Sequence, residues 1–234
     1  MPNRSTSDAD PSVQDDYFRA RPSDGSLLTP DGRRVIALPE ALLQALHRGR
    51  KGSASVQARQ AIYRTGYEWG LQDMLQLSDR RRDEFSDRRD LWQMDAPFVL
   101  EHWAAPFAAT GWGACIFDLT SHDKGLMFVE LRQSAAAAAV GETTVPACDL
   151  YAGLFAGALS FFDRAESHAI ETECVALGHA CCRFIVGPGR LIDQAETARL
   201  AGRSHDAIRR LLLEARAPSS APSPSKAARI PWKK

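Results

Sequence analysis

The residues best suited to chemistry in this chain are thiols and one carboxylate. The 234 residues include five cysteines: Cys115, Cys148, Cys174, Cys181 and Cys182. Cys148, Glu171, Cys174 and Cys182 form a candidate metal-ligand set. Three thiolates and a carboxylate close a tetrahedral shell around zinc and leave no position for water, so the role would be structural. Cys148 precedes a strongly apolar run ending at Phe162, which reads as a buried helix. Cys174 closes one expected strand and Cys182 opens the next, so the turn around Gly178 brings their sulfurs together. Successive strand residues face opposite sides, so Cys181 and Cys182 do not serve one site. Glu171 lies three residues before Cys174, and joint ligation requires a bulge or twist between them. Spacing alone leaves two readings open, a metal site or buried free thiols. Cys115 falls inside an earlier strand and reads as a core thiol.

The elements that would position these groups follow from apolar spacing. Val35 to Leu46 carries leucines at helical intervals, with Pro39 near the start. A long helix is expected from Ser53 or Ser55 to about Ser78. Gly66 and Gly70 share one of its faces and suggest close approach of another element. The run Arg80 to Glu84 reads as a charged, solvated connection. Leu91 to Ala109 reads as a helix interrupted or bent by Pro97 and Pro106. Trp112 to Leu119 and Leu126 to Leu131 form an expected hairpin, with Gly125 available for positive φ. Ala135 to Ala139 suggests a short helix. Val145 to Phe162 carries a second glycine pair, Gly153 and Gly157. A second hairpin joins His168–Val175 to Cys182–Val186, and an amphipathic helix from Leu191 to Leu213 breaks at Gly202. Hairpins imply antiparallel pairing, so the fold class is α+β, two hairpins forming an antiparallel sheet packed with helices.

Composition bounds the function. Lys+Arg and Asp+Glu are each 29, so a net basic footprint for nucleic acid is absent. The polar, acidic start has no apolar core of a signal peptide, and no run reaches the ~18 apolar residues of a membrane span. These features predict a cytoplasmic protein in which disulfides are not the role of the cysteines. Residues 1–34 and 217–234, rich in Pro, Ser and charge, read as disordered tails flanking one domain over 35–216, whose metal subdomain covers about 145–187.

The segment from Cys148 to Gly157, followed by Glu171 to Phe184, resembles the 4-vinyl reductase domain family. That family includes a protein of bacteriochlorophyll biosynthesis and the sensor domains of phenol- and xylene-responsive activators. It shares a fold, more distantly, with TRAPP vesicle-tethering subunits. The family pattern is one Cys at a helix start and then E-x2-C-x7-C, which Cys148, Glu171, Cys174 and Cys182 match in type and spacing. The resemblance implies a bound zinc tying helix to hairpin, and a homodimer. In the phenol sensors a His and a Trp hold the aromatic effector. His102 falls near the His position, whereas Leu131 takes the place of the Trp.

The function expected from this resemblance is a zinc-stabilised sensor or carrier binding a hydrophobic aromatic or tetrapyrrole-like small molecule. Its pocket is expected beside the zinc subdomain, lined by His102, Trp103, Phe128 and Tyr151 with few charges. One alternative is an enzyme or accessory protein acting at 4-vinyl reduction. A vinyl reduction needs a hydride or electron donor, and no G-x-G-x-x-G fingerprint or iron–sulfur cysteine set is present in the sequence. Presenting a pigment is therefore easier to defend than reducing it. A second alternative is a structural adaptor whose pocket is filled by its own side chains.

Overall fold

The structure, a computed structural model, describes residues 18–29, 32, 34–48, 54–84 and 90–214. Along the chain run β1 (Arg19–Arg21), β2 (Ser26–Leu28), β3 (Arg34–Val35), α1 (Glu40–Arg48), α2 (Ala54–Glu84), α3 (Ala96–Ala109), β4 (Ala114–Asp118) and β5 (Met127–Arg132). These are followed by α4 (Ala135–Val140), α5 (Asp149–Asp163), β6 (His168–Glu173), β7 (Cys182–Gly187), α6 (Gly189–Leu200) and α7 (His205–Glu214). The α+β expectation is met. The main sheet has the order β4-β5-β7-β6 and every pair is antiparallel. Both expected hairpins are present, and β7 lies inside while β6 forms an edge.

The period-2 alternation of β5 and β7 divides the core into two layers. Met127, Val129, Leu131, Phe184 and Val186 face α5 and the aromatic residues of α3. Leu126, Phe128 and Ile185 face the opposite way, against α6 and α7. Gly125 has φ 72°, so the turn between β4 and β5 uses the freedom expected of it.

The glycine pairs have a common explanation. A Cβ added to Gly153 would lie 1.9 Å from the Tyr63 carbonyl oxygen, and one on Gly66 would lie 2.0 Å from the Leu150 carbonyl oxygen. Gly70 and Gly157 are equally tight, at 2.1 Å from the carbonyl oxygens of Leu154 and Tyr67. The two glycine faces therefore meet each other, α2 against α5, within one chain. They give no support to the expected homodimer.

Other differences are local. The 1–34 segment read as a tail contributes β1, β2 and β3, which form a small antiparallel sheet. α2 continues through the charged run to Glu84, which was expected to be a connection. Arg and Glu are good helix formers and a single Asp costs little, so charge alone did not end it. The expected helix from Leu91 instead begins as a 3-10 turn at Leu91–Gln93. α3 then starts afresh, with the Asp95 carboxylate accepting from the Phe98 amide at 3.2 Å and Pro97 in the first turn. The last helix breaks as expected, with Gly202 at φ 76°. Residues 1–17 and 217–234 lie outside the described residues.

Candidate functional site

The corner between α5, β6 and β7 assembles the quartet read from the sequence. Ligand atoms of Cys148, Glu171, Cys174 and Cys182 all lie within 4.8 Å of one another, and all four residues are buried. Cys148 occupies the N-cap position of α5. Its sulfur is 3.6 Å from that of Cys182, which is 4.0 Å from that of Cys174. The required bulge is present. Glu171 pairs with Phe184 and Glu173 with Arg183, so the register shifts at Thr172 and turns Glu171 and Cys174 to one side. Cys181 is half-buried and outside the cluster, as strand alternation demands.

Electrostatics make this corner costly without a cation. Burial, and then the charge of Cys174, pushes the Glu171 carboxyl well above the usual carboxylate range. Hydrogen bonds with Cys174 and Cys182, followed by burial, push the Cys148 thiol up as well. Cys174 is held down to about 2 by hydrogen bonds from Cys148 and Cys182. Contact with Cys148 pulls Cys182 down, but the bond to Cys174 and burial push it further up. Together these shifts reflect four acidic groups crowded into one buried site. Backbone N–H groups already point inward: Cys148 N–H donates to Glu171 Oε2 at 2.8 Å, and Val175 N–H to Cys182 Sγ at 3.4 Å. Glu171 Oε1 is buried with no hydrogen-bond partner. A thiophilic divalent cation would satisfy that oxygen and balance the charge of thiolate ligands. The donor set fits a metal ion.

Residues 127–188 match the V4R domain family. That segment is similar to a V4R domain. It runs from β5 to just past β7 and contains all four residues of the cluster. No curated protein matches the chain. Among solved structures, the chain resembles the phenol-responsive sensory domain of the transcription activator PoxR with phenol, at 22% identity and TM-score 0.55. That alignment covers 79% of this chain and 90% of the other, and it shows the fold. A vinyl-4-reductase family protein from Methanocaldococcus jannaschii is similar at 18% identity, covering 62% of this chain and 91% of that one, with TM-score 0.38. A trafficking protein particle complex subunit 3 from Naegleria fowleri, covalently bound to palmitic acid, is similar at 13% identity, covering 63% and 93%, with TM-score 0.44.

The ligand residues expected beside this corner do not come together. His102 is exposed; its Nδ1 is 2.8 Å from the Phe98 carbonyl oxygen and its ring packs on Phe98. Its helix neighbour Trp103 points inward, 3% exposed, and its indole N–H donates to Asp73 Oδ2 at 2.7 Å. Phe128 lies on the far side of the sheet, under the Arg209 guanidinium. Tyr151 is in the near core, and its hydroxyl donates to the Trp112 carbonyl oxygen. A cavity of about 550 Å3 does open beside Glu171, but none of the four expected residues lines it. Its walls carry Arg59, Asp149, Glu196 and Arg199 rather than few charges. Arg59 grips Asp149 through Nη2 and Nε, which donate to its two carboxylate oxygens at 2.8 and 2.9 Å, and so pins the start of α5 to α2. Sequence reasoning missed this clamp, and also Trp69 and Asp73. Trp69 and Asp73 stand four apart on α2 and so share a face, which is the one signal that pointed to them.

No described helix is long and apolar enough to cross a membrane.

Proposed function

We propose that this protein is a zinc-stabilised small-molecule-binding module, a sensor or carrier for a hydrophobic aromatic or tetrapyrrole-like ligand. The observation that carries the zinc is the geometry of the Cys148, Glu171, Cys174 and Cys182 cluster. Thiolates bound at ~2.3 Å around a tetrahedral zinc stand about 3.8 Å apart, and the two sulfur separations are 3.6 and 4.0 Å. A closed shell of this kind would hold α5 to the second hairpin and leave chemistry to other groups. The ligand half of the reading is supported by the fold shared with the phenol-responsive sensory domain and by the V4R match. The reading includes one domain around that segment and a homodimer, and the homodimer rests on the family resemblance alone.

A second reading, a structural adaptor, is favoured by one observation. The interior between α3, α5 and the sheet is filled by Tyr151, Phe155 and Phe184, each at most 1% exposed and linked through ring contacts.

Native mass spectrometry of freshly purified protein, with metal analysis, tests both. One zinc per chain plus a co-purifying or exchangeable aromatic supports the module. Zinc with no affinity for any aromatic favours the adaptor. Full-length folded protein free of zinc, and unable to take it up, overturns the metal assignment.

A further inference from the structure

The core between α3, α5 and the sheet is filled by Tyr151, Phe155 and Phe184, yet besides the charged cavity at Glu171 a second hollow lies on the other side of Trp103. It occupies about 660 Å3 between α2 and α3, beneath β3. Trp69, Trp103, Phe107 and Trp112 line it. Their rings brace one another edge to face. Trp69 stands 5.5 Å from both Phe107 and Trp112, and Trp103 stands 5.1 Å from Phe107. The Trp103 indole is further locked by Asp73. Rings held this way do not need to be ordered when a ligand arrives, which lowers the entropic cost of binding.

The rim is different in kind. Arg34, Gln76, Arg80 and Thr110 place polar and cationic groups around the aromatic floor. Ile36 reaches the same hollow and is 76% exposed, an apolar side chain in water at its mouth. Val35, Ile36, Thr110 and Trp112 also line an adjoining hollow of about 250 Å3, so the space extends past β3. Small-molecule sites are typically about 300–1,000 Å3, mostly apolar, with a few placed polar groups. Both cavities fall in that size range, but this one is walled by four aromatic side chains, whereas the cavity beside Glu171 has Tyr63 alone.

We infer that the ligand seat is this cleft, and that it takes a flat, fused-ring aromatic carrying a hydroxyl or carboxyl group at its edge. The ring system lies among the three indoles and Phe107, and its polar edge faces Arg34, Arg80 and Thr110. β3 lies over the bound molecule, and Ile36 covers its exposed edge. The inference rests on the ligand-binding reading above and assigns that ligand a place and a class. It moves the seat away from His102 and Phe128.

The test is titration of the full chain, as purified, with naphthol, followed by calorimetry and by quenching of indole fluorescence. Three variants accompany it: Trp69→Ala, Ile36→Glu and His102→Ala. Saturable binding is expected, weakened about tenfold or more by Trp69→Ala and clearly by Ile36→Glu, with His102→Ala unchanged. Ile36 is on the surface, so Ile36→Glu remains decisive if Trp69→Ala does not fold. Naphthol binding that survives Ile36→Glu and Trp69→Ala undiminished overturns the seat and leaves the ligand-binding reading standing. A wild-type chain that binds neither naphthol nor phenol overturns both.

Discussion

The Tyr151 hydroxyl donates to the carbonyl oxygen of Trp112. Tyr151 lies in the first turn of α5, just after Cys148 of the metal corner. Trp112 is a wall of the aromatic cleft and leads into β4. One hydrogen bond thus joins the element that the metal would anchor to the element that shapes the cleft. The same carbonyl also accepts from the Ala135 amide at 3.1 Å. Tyr151→Phe therefore does not strand a buried acceptor, and its cost is a net hydrogen bond of about 0.5–1.5 kcal/mol. Urea unfolding should show that loss. Naphthol affinity should fall while metal content stays at the wild-type level.

The candidate metal ligands predict a split among the cysteines. Cys174→Ser and Cys182→Ser should lose the metal, whereas Cys181→Ser, outside the cluster, should keep it. Structural metal sites exist only in the folded chain, so losing the ion costs folding free energy, here on the order of 3 kcal/mol or more. Elemental analysis together with thermal melting checks this. A Cys182→Ser protein with full metal content would remove Cys182 from the site.

Gly153→Ala should destabilise the protein although alanine favours helices. The gain in helix propensity is about 0.5–1 kcal/mol. Against it stands a Cβ placed 1.9 Å from the Tyr63 carbonyl oxygen, a backbone atom that cannot swing aside. Overpacking costs about 1–3 kcal/mol and occasionally more, so the clash wins and α2 must move from α5. A lower urea midpoint is expected; an unchanged or higher one would mean the helices separate easily.

His205 predicts a dependence on acidity. Burial first, and then the Arg183 charge, lowers its pKa, with Glu173 and Asp206 pulling the other way and Arg209 adding to the lowering. Its Nδ1 lies 2.6 Å from the Thr172 hydroxyl, which donates to the Arg183 carbonyl oxygen. A base with a depressed folded pKa binds fewer protons folded than unfolded. Its contribution is full above the unfolded value of about 6.5 and is lost as pH falls from there towards the folded value. Stability should drop as pH falls through about 6.5, and His205→Asn should flatten that drop. Parallel curves for the two proteins would show that other groups govern this window.

The candidate metal quartet and the elements that carry it were largely legible in the sequence, because each depends on local rules. Residue type offered Cys148, Glu171, Cys174 and Cys182 as candidates, the family pattern they match favoured a metal over buried free thiols, and hairpin geometry brought Cys174 to Cys182 and set Cys181 apart. The bulge at Thr172 followed from strand parity. The aromatic cleft needed the tertiary structure. His102 and Trp103 are neighbours on a helix, about 100° apart around its axis, so one faced out when the other faced in. Which one did depended on where α2 lay. Phe128 shares a strand with Met127 and Val129, and only the assembled layers decided which parity faced which core. The glycine faces were legible as close contacts, but whether the partner was a second chain or α5 was fixed by packing. Trp69, Asp73 and Trp103 meet across a long loop of sequence, and nothing in local spacing couples them. Periodicity records which face of an element is buried, while the choice of what it is buried against belongs to the whole fold.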